Sequence, residues 1–231
     1  MVTLLHVVFG TVALIVAPAA MFVRKGGTWH RRWGLAFIGA MAVVLVSATF
    51  MWQAKGHLFL VPLAAISAYL LFNGRRALVR RRRAPLDVAA AAWAIAAGLA
   101  VVYLAATAAT PLMHSLVPIL VAIGTIAIAF AVNDLLGFAA RRSTFGWLLS
   151  HFAAMIAAYI SAVTAFVVIN AHGVPMLLRW LVPSSMGAAT IVGFTLRYVR
   201  LKASGLRIPP NPAPQLAASS APSPGKMKPT R

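Results

Sequence analysis

The sequence predicts an all-α fold: a polytopic transmembrane bundle of about seven helices, with the N-terminus outside and the C-terminus in the cytoplasm. Three observations carry this. Apolar runs of spanning length follow one another along most of the 231 residues. Only 10% of the residues are charged, where a soluble domain has roughly 25%. The basic residues cluster at every second break between runs.

Each span needs about 20 apolar residues, and the runs supply them in order. The first is Val2 to Val23, ended by Arg24 and Lys25. The second goes from Gly34 to Trp52, and a link from Gln53 to His57 leads to the third, Leu58 to about Gly74. Arg75, Arg76 and the run Arg80 to Arg83 follow. Pro85-Leu86-Asp87 opens the fourth, to about Ala109, with Asp87 placed as an N-cap. Past Thr110-Pro111 the fifth extends from about His114 to Ala140. Arg141 to Gly146 links it to the sixth, Trp147 to Ala171, and His172 to Pro175 lead to the seventh, Met176 to about Val199.

Residues 1–202 therefore form the membrane domain. Residues 203–231 hold seven of the 14 prolines, with Ala, Ser and basic residues between them. Such a segment cannot bury enough apolar area to order itself and reads as a disordered cytoplasmic tail.

The successive basic segments, including the C-terminal one, carry 4, 6, 2 and 7 Lys and Arg; the opposite side has only Lys55 and Arg179. The positive-inside rule puts the basic side in the cytoplasm. This placement explains the formal charge of +19 without nucleic acid as a partner. The lipid bilayer is the expected partner, with anionic headgroups against the basic face and a membrane protein as a further candidate. Arg24 and Lys25 follow the first run and no basic residue precedes it. That reverses a signal peptide's charge order, so the run reads as a span.

Chemistry-bearing residues are few. There is no Cys and no Glu, and Asp87 and Asp134 are the only carboxylates. The usual acid–base and nucleophile sets of hydrolases are absent, and no metal site is assigned. Six histidines remain. His6, His57, His114 and His172 fall toward the outer surface, and His30 and His151 toward the inner one. His6 shares a helical face with Gly10, Ala13, Ala17 and Ala20, which suits close helix packing or a flat cofactor. His151 shares a stripe with Met155, Tyr159, Ala162, Phe166 and Asn170, at about 100° per residue. Tyr159 and Asn170 are thus candidates to line the bundle. Asp134 lies near the inner end of the fifth helix, where a lone carboxylate needs a partner. His30, Asp134 and His151 are expected to form an inner polar cluster, with the fifth and sixth helices as antiparallel neighbours.

The segment His6 to Gly10, through Pro18, to Arg24-Lys25-Gly26-Gly27-Thr28-Trp29-His30-Arg31-Arg32-Trp33-Gly34 resembles a bacterial family of multi-pass membrane proteins, domain of unknown function 2306. That family reads as a His, a small-residue helix, Lys-Gly-Gly, two spacers, His-Arg and Gly. The stretch His151 to Asn170 is similar to its sixth helix, and Asp134-Leu135 to its acidic residue before a basic loop. The usual Asp-Leu-Arg is here Asp134-Leu135-Leu136. The resemblance implies a multi-pass bacterial inner-membrane protein and no particular activity.

Three functions are compatible with these residues. One is a non-catalytic partner, assembly or lipid-contacting protein. Another is a proton-coupled small-molecule carrier or sensor built on Asp134, His151, Tyr159 and Asn170. The third is an electron-transfer protein holding haem b, its axial ligands drawn from His6, His57, His114, His172 and His151.

Overall fold

A computed structural model describes residues 1–55, 60–79, 84–107, 111–139 and 146–205. They form seven helices: α1 (Val2–Phe22), α2 (Thr28–Lys55), α3 (Leu60–Val79), α4 (Pro85–Ala106), α5 (Pro111–Ala139), α6 (Gly146–Asn170) and α7 (Met176–Ala203). No strand occurs among the described residues. Six of the helices are long and apolar enough to cross a membrane. The seventh, α3, carries Asn73, Arg75 and Arg76 toward its end and is packed by α2, α4 and α6. The protein is a multi-pass membrane bundle. At lipid depth a helix is the one open segment that satisfies its own main chain. The tail from 206 to 231 lies outside the described residues.

The helices follow the apolar runs, with three differences at the basic end. α2 begins at Thr28, so Trp29 to Trp33 are helical, α3 runs past Gly74 through Arg75 and Arg76 to Val79, and α7 continues through Arg200 and Lys202 to Ala203. Continuing the helix keeps the main chain satisfied while long basic side chains reach headgroup water. Trp29 and Trp33 stack at 6.3 Å, with the Arg32 guanidinium 5.5 Å from the Trp29 ring centre. Amphipathic rings of this kind belong at a membrane–water boundary.

Asp87 is not the N-cap of α4. Ala84 holds that position, and Asp87 stands three residues later. Its N–H donates to the Ala84 carbonyl at 2.9 Å, and its Oδ2 accepts the Ala84 N–H at 2.9 Å. This is the acidic half of a capping box. Pro85 comes first in the helix, where its missing N–H costs nothing, and that shifts the acid inward. Arg76 then clamps Asp87 with two bonds of 2.8 Å, Nε to Oδ1 and Nη2 to Oδ2. The buried carboxylate joins the end of α3 to the start of α4.

Helix directions follow from paired contacts. Along α1 and α2, His6 meets Ser47 while His30 meets Ala20, so these helices are antiparallel. Ser67 meets Ser161 while Gly74 meets His151, so α3 and α6 are antiparallel too. Between α2 and α6, His30 faces His151 and Phe37 faces Tyr159, which makes them parallel. Seven alternating passes require each of these relations. Arg24 to Arg32, Arg75, Arg76 and Arg197 to Lys202 therefore gather at one end.

Among the described residues, the expected pairing of α5 with α6 is not found. The extensive neighbour of α5 is α4, and those of α6 are α3 and α7. A small-residue crossing explains the choice. A Cβ on Gly98 would lie 2.7 Å from the Gly124 carbonyl oxygen, and one on Gly124 would lie 2.6 Å from that of Gly98. Ala94, Ala97, Ala127 and Ala131 are buried beside this crossing. Small residues let helices approach closely where lipid offers no hydrophobic contrast. The buried faces are rich in Ala, while Leu4, Ile15, Trp93, Leu99 and Met186 are exposed on the outer surface. Apolar side chains thus face outward, as a lipid environment requires.

Gly98→Ala should lower stability by about 1–3 kcal/mol through overpacking against main chain. Gly39→Ala, where an added Cβ meets nothing within 4 Å, should be neutral. Denaturant titration of the detergent-solubilised protein, followed by circular dichroism, separates the two.

Candidate functional site: a histidine pair at the basic end

The site begins at the corner between α1 and α2. α1 ends at Phe22, so its last carbonyls lose their helical partners. The Val23 N–H takes the Ala19 carbonyl. The Met21 carbonyl accepts from Lys25 Nζ, and the Ala20 carbonyl accepts from His30 Nδ1 at 2.9 Å. Between these residues, the Gly27 N–H donates to the Arg24 carbonyl at 3.1 Å, and Gly26 has φ +75°. Positive φ at the third residue of a turn is the type II requirement, and it favours Gly. The Lys25 to His30 segment is thus a device that closes α1 and starts α2.

A carbonyl only accepts, so the hydrogen bond to Ala20 puts the proton of His30 on Nδ1. In the neutral form of a ring so placed, Nε2 carries the lone pair. His151, in the second turn of α6, repeats the arrangement: its Nδ1 donates to the Gly74 carbonyl of α3 at 2.8 Å. Gly74 is what lets α6 come this close. A Cβ there would lie 2.7 Å from Met155 Sδ. The two imidazole centroids are 6.4 Å apart, with ring planes at 76°. Two imidazoles, each donating through Nδ1 to a main-chain carbonyl, therefore stand together at the basic end of the bundle. Such a pair can bind a metal or accept a proton.

The structure brings His30 and His151 together and takes Asp134 to α3. Asp134 is buried, and the Tyr69 hydroxyl approaches its Oδ2 at 3.5 Å. Tyr159 packs its ring edge-on to Phe37 at 6.4 Å. Asn170 is exposed at the other end, its Nδ2 donating to the Phe166 carbonyl of its own helix. The stripe from His151 faces the bundle over its first half and turns outward by Phe166.

The remaining histidines lie elsewhere. His6 Nδ1 is 3.0 Å from Ser47 Oγ, whose own proton goes to the Val43 and Val44 carbonyls. Gly10, Ala13, Ala17 and Ala20, on the face of His6, pack against neighbouring helices; Ala13, Ala17 and Ala20 are buried. His172 is exposed in the α6–α7 link. His57 and the side chain of His114 lie outside the described residues. Sequence reasoning missed the partners of the pair, because both are main-chain carbonyls. The one available signal was Gly74 beside Arg75, a small residue where α3 meets the basic layer.

No family model, no curated protein and no solved structure matches this chain. The fold and the site define it as a multi-pass helical membrane protein with paired histidines at its basic end.

His30→Asn and His151→Asn should remain close to the parent in stability, because the Asn amide donates from nearly the position of Nδ1. The Ala variants leave a carbonyl without its partner and should each lose about 1–3 kcal/mol. Thermal unfolding in detergent measures the contrast.

Proposed function

We propose that the protein is a non-catalytic, lipid-contacting component of the bacterial inner membrane, with N-out, C-in orientation. Its basic cytoplasmic face holds anionic phospholipid headgroups. The 4, 6, 2 and 7 Lys and Arg of the basic segments support the orientation. The resemblance carried by Lys25 to Gly34 and by His151 to Asn170 supports placement in the family named above.

The observation that carries the reading is the arrangement of α7. Only one narrow stripe of this helix is covered. Trp180, Pro183 and Gly187 are buried, Gly187 lies against Ile160, and Phe194 stacks on Phe152 at 3.6 Å. The opposite face is exposed and apolar through Leu181, Val182, Met186, Val192 and Leu196. At its basic end the helix presents Gly193, Leu196, Arg197, Arg200, Leu201 and Ser204 side by side on one face. Acyl chain fits the apolar part, and two guanidiniums at headgroup level fit a phosphate. A wide apolar face ending in paired arginines matches an anionic phospholipid in charge and in shape.

A basic side chain near an anionic surface contributes about 1 kcal/mol. Removing two should cut the preference for anionic over zwitterionic lipid roughly thirtyfold. Native mass spectrometry of the protein from mixed phosphatidylglycerol and phosphatidylcholine nanodiscs tests this, with Arg197→Gln/Arg200→Gln as the variant. Equal retention of both lipids by the parent would reject the reading. Stoichiometric retention of another membrane protein, lost in the variant, would assign this face of α7 to a subunit instead. A reporter fused after Lys202 should read as cytoplasmic and one inserted at Gly56 as external; the opposite pattern would overturn the orientation.

A further inference from the structure

We propose that His30 and His151 form an acid-sensitive contact: when both rings are protonated, their repulsion loosens the packing of the α1–α2 pair against the α3–α6 pair. The argument starts from what each ring already does. Nδ1 of His30 donates to the Ala20 carbonyl, and Nδ1 of His151 donates to the Gly74 carbonyl. An imidazolium has a donor on both nitrogens, so a proton added at Nε2 leaves these bonds in place. Protonation therefore charges the contact between the two helix pairs without undoing either pair.

The arrangement tolerates one added proton and opposes the second. The ring centroids are 6.4 Å apart with planes at 76°, so the edge of one ring meets the face of the other. An aromatic edge is positive and a face negative, which suits two neutral rings, and two imidazolium ions lose that match. Each imidazolium spreads its charge over the whole ring. The centroid separation thus sets the repulsion, whichever way the nitrogens point. Two unit charges about 6 Å apart in a partly buried site weaken binding of the second proton about tenfold or more. Both rings are half-buried, which admits protons from water and limits screening by salt.

The surrounding groups add to this repulsion. On α3, Arg75 follows the residue whose carbonyl holds His151. At the end of α1, Lys25 bonds the Met21 carbonyl beside the Ala20 carbonyl that holds His30. Arg24, Arg31 and Arg32 flank His30 in sequence. On α7, Arg197, Tyr198 and Arg200 surround the end that packs on α6 through Phe194 and Phe152. Asp87 of α4 is clamped by Arg76, and the Tyr69 hydroxyl approaches Asp134 of α5. Among the described residues, neither histidine ring is paired with a carboxylate. Relief is open to the bundle, because turning one helix pair on the other parts the rings and breaks neither carbonyl bond.

The test uses the full-length protein in phosphatidylcholine nanodiscs, which present no anionic headgroup and so keep it independent of the lipid reading above. The chain has no Cys, so Leu35→Cys on α2 and Ala68→Cys on α3, both exposed, place one spin label on each helix pair. The label-to-label distance by pulsed electron paramagnetic resonance should lengthen and broaden from about pH 7.5 to about pH 5, across the ordinary histidine range. His30→Asn and His151→Asn keep a donor for the carbonyl but cannot take the charge, and each should abolish the change. His172→Asn should respond as the parent does. NMR of the histidine ring protons in the unlabelled parent should show the pair titrating in two steps, about one pH unit or more apart. This second readout does not depend on how any variant folds. A parent distance that is the same at both pH values overturns the proposal. So does a response that survives in the two Asn variants or disappears in His172→Asn, or a pair that titrates in one step.

Discussion

The constraint on which this bundle depends is the main-chain carbonyl left open where a helix ends near lipid. Water is scarce there, so a side chain must close it. At the end of α1 the closing groups are Lys25 and His30. At the end of α6 Arg179 does the work: it reaches the Val168, His172 and Val174 carbonyls at 3.2, 2.7 and 2.6 Å. At the start of α4 the polarity is reversed, and Asp87 accepts the Ala84 N–H. Cationic groups thus sit at helix C-termini and a carboxylate at an N-terminus, the sense the helix dipole favours. At these corners the closing side chain also ties consecutive helices together. His30 holds α2 to α1, Arg76 holds α3 to Asp87 of α4, and Arg179 holds α7 to α6. End closure and hairpin geometry are one set of bonds.

Arg179 shows how this constraint modifies the charge rule. It is one of two basic residues on the sparsely charged side. Its guanidinium spreads over three carbonyls, so its position is set by hydrogen bonding in the α6–α7 corner. Inside the bundle a second economy operates. Lipid is as apolar as Leu, so burying Leu between helices gains little, and close approach has to come from missing side chains. Gly98 on Gly124, Gly187 on Ile160 and Gly74 on Met155 are the three places where this is plainest. The polar links Ser67–Ser161 and His6–Ser47 lie in other parts of the same interfaces.

Helix number, order and extent were legible because they rest on apolar length, a property of contiguous residues. The basic end was legible because Lys and Arg are placed by water and headgroups, whatever the tertiary contacts. Neighbour relations were not. A short α5–α6 link suggested adjacent helices, but the Gly98–Gly124 crossing sets the partner of α5, and a glycine's value there depends on a residue 26 positions away. Asp87 was legible as a helix-start residue and misplaced by three positions, because Pro85 takes the first turn and Ala84 precedes it. His30 and His151 could be assigned to one end of the bundle from charge alone. Their partners could not, since Ala20 and Gly74 contribute only main-chain oxygen, which no side-chain pattern records.

The histidines also show why structural and chemical roles need not compete. A ring that caps a carbonyl through Nδ1 has its tautomer decided, and the nitrogen across the ring becomes a base or a ligand as a consequence. His6 also engages Nδ1, 3.0 Å from Ser47 Oγ. An engaged Nδ1 alone therefore does not make a site. What distinguishes His30 and His151 is that two antiparallel helix pairs, α1–α2 and α3–α6, set their rings 6.4 Å apart. α1 fixes one ring through Ala20, and α3 fixes the other through Gly74. A small rotation of either pair as a unit would separate the rings without costing either hydrogen bond. Their separation is thus a property of how the α1–α2 and α3–α6 pairs are assembled, and it registers that assembly directly.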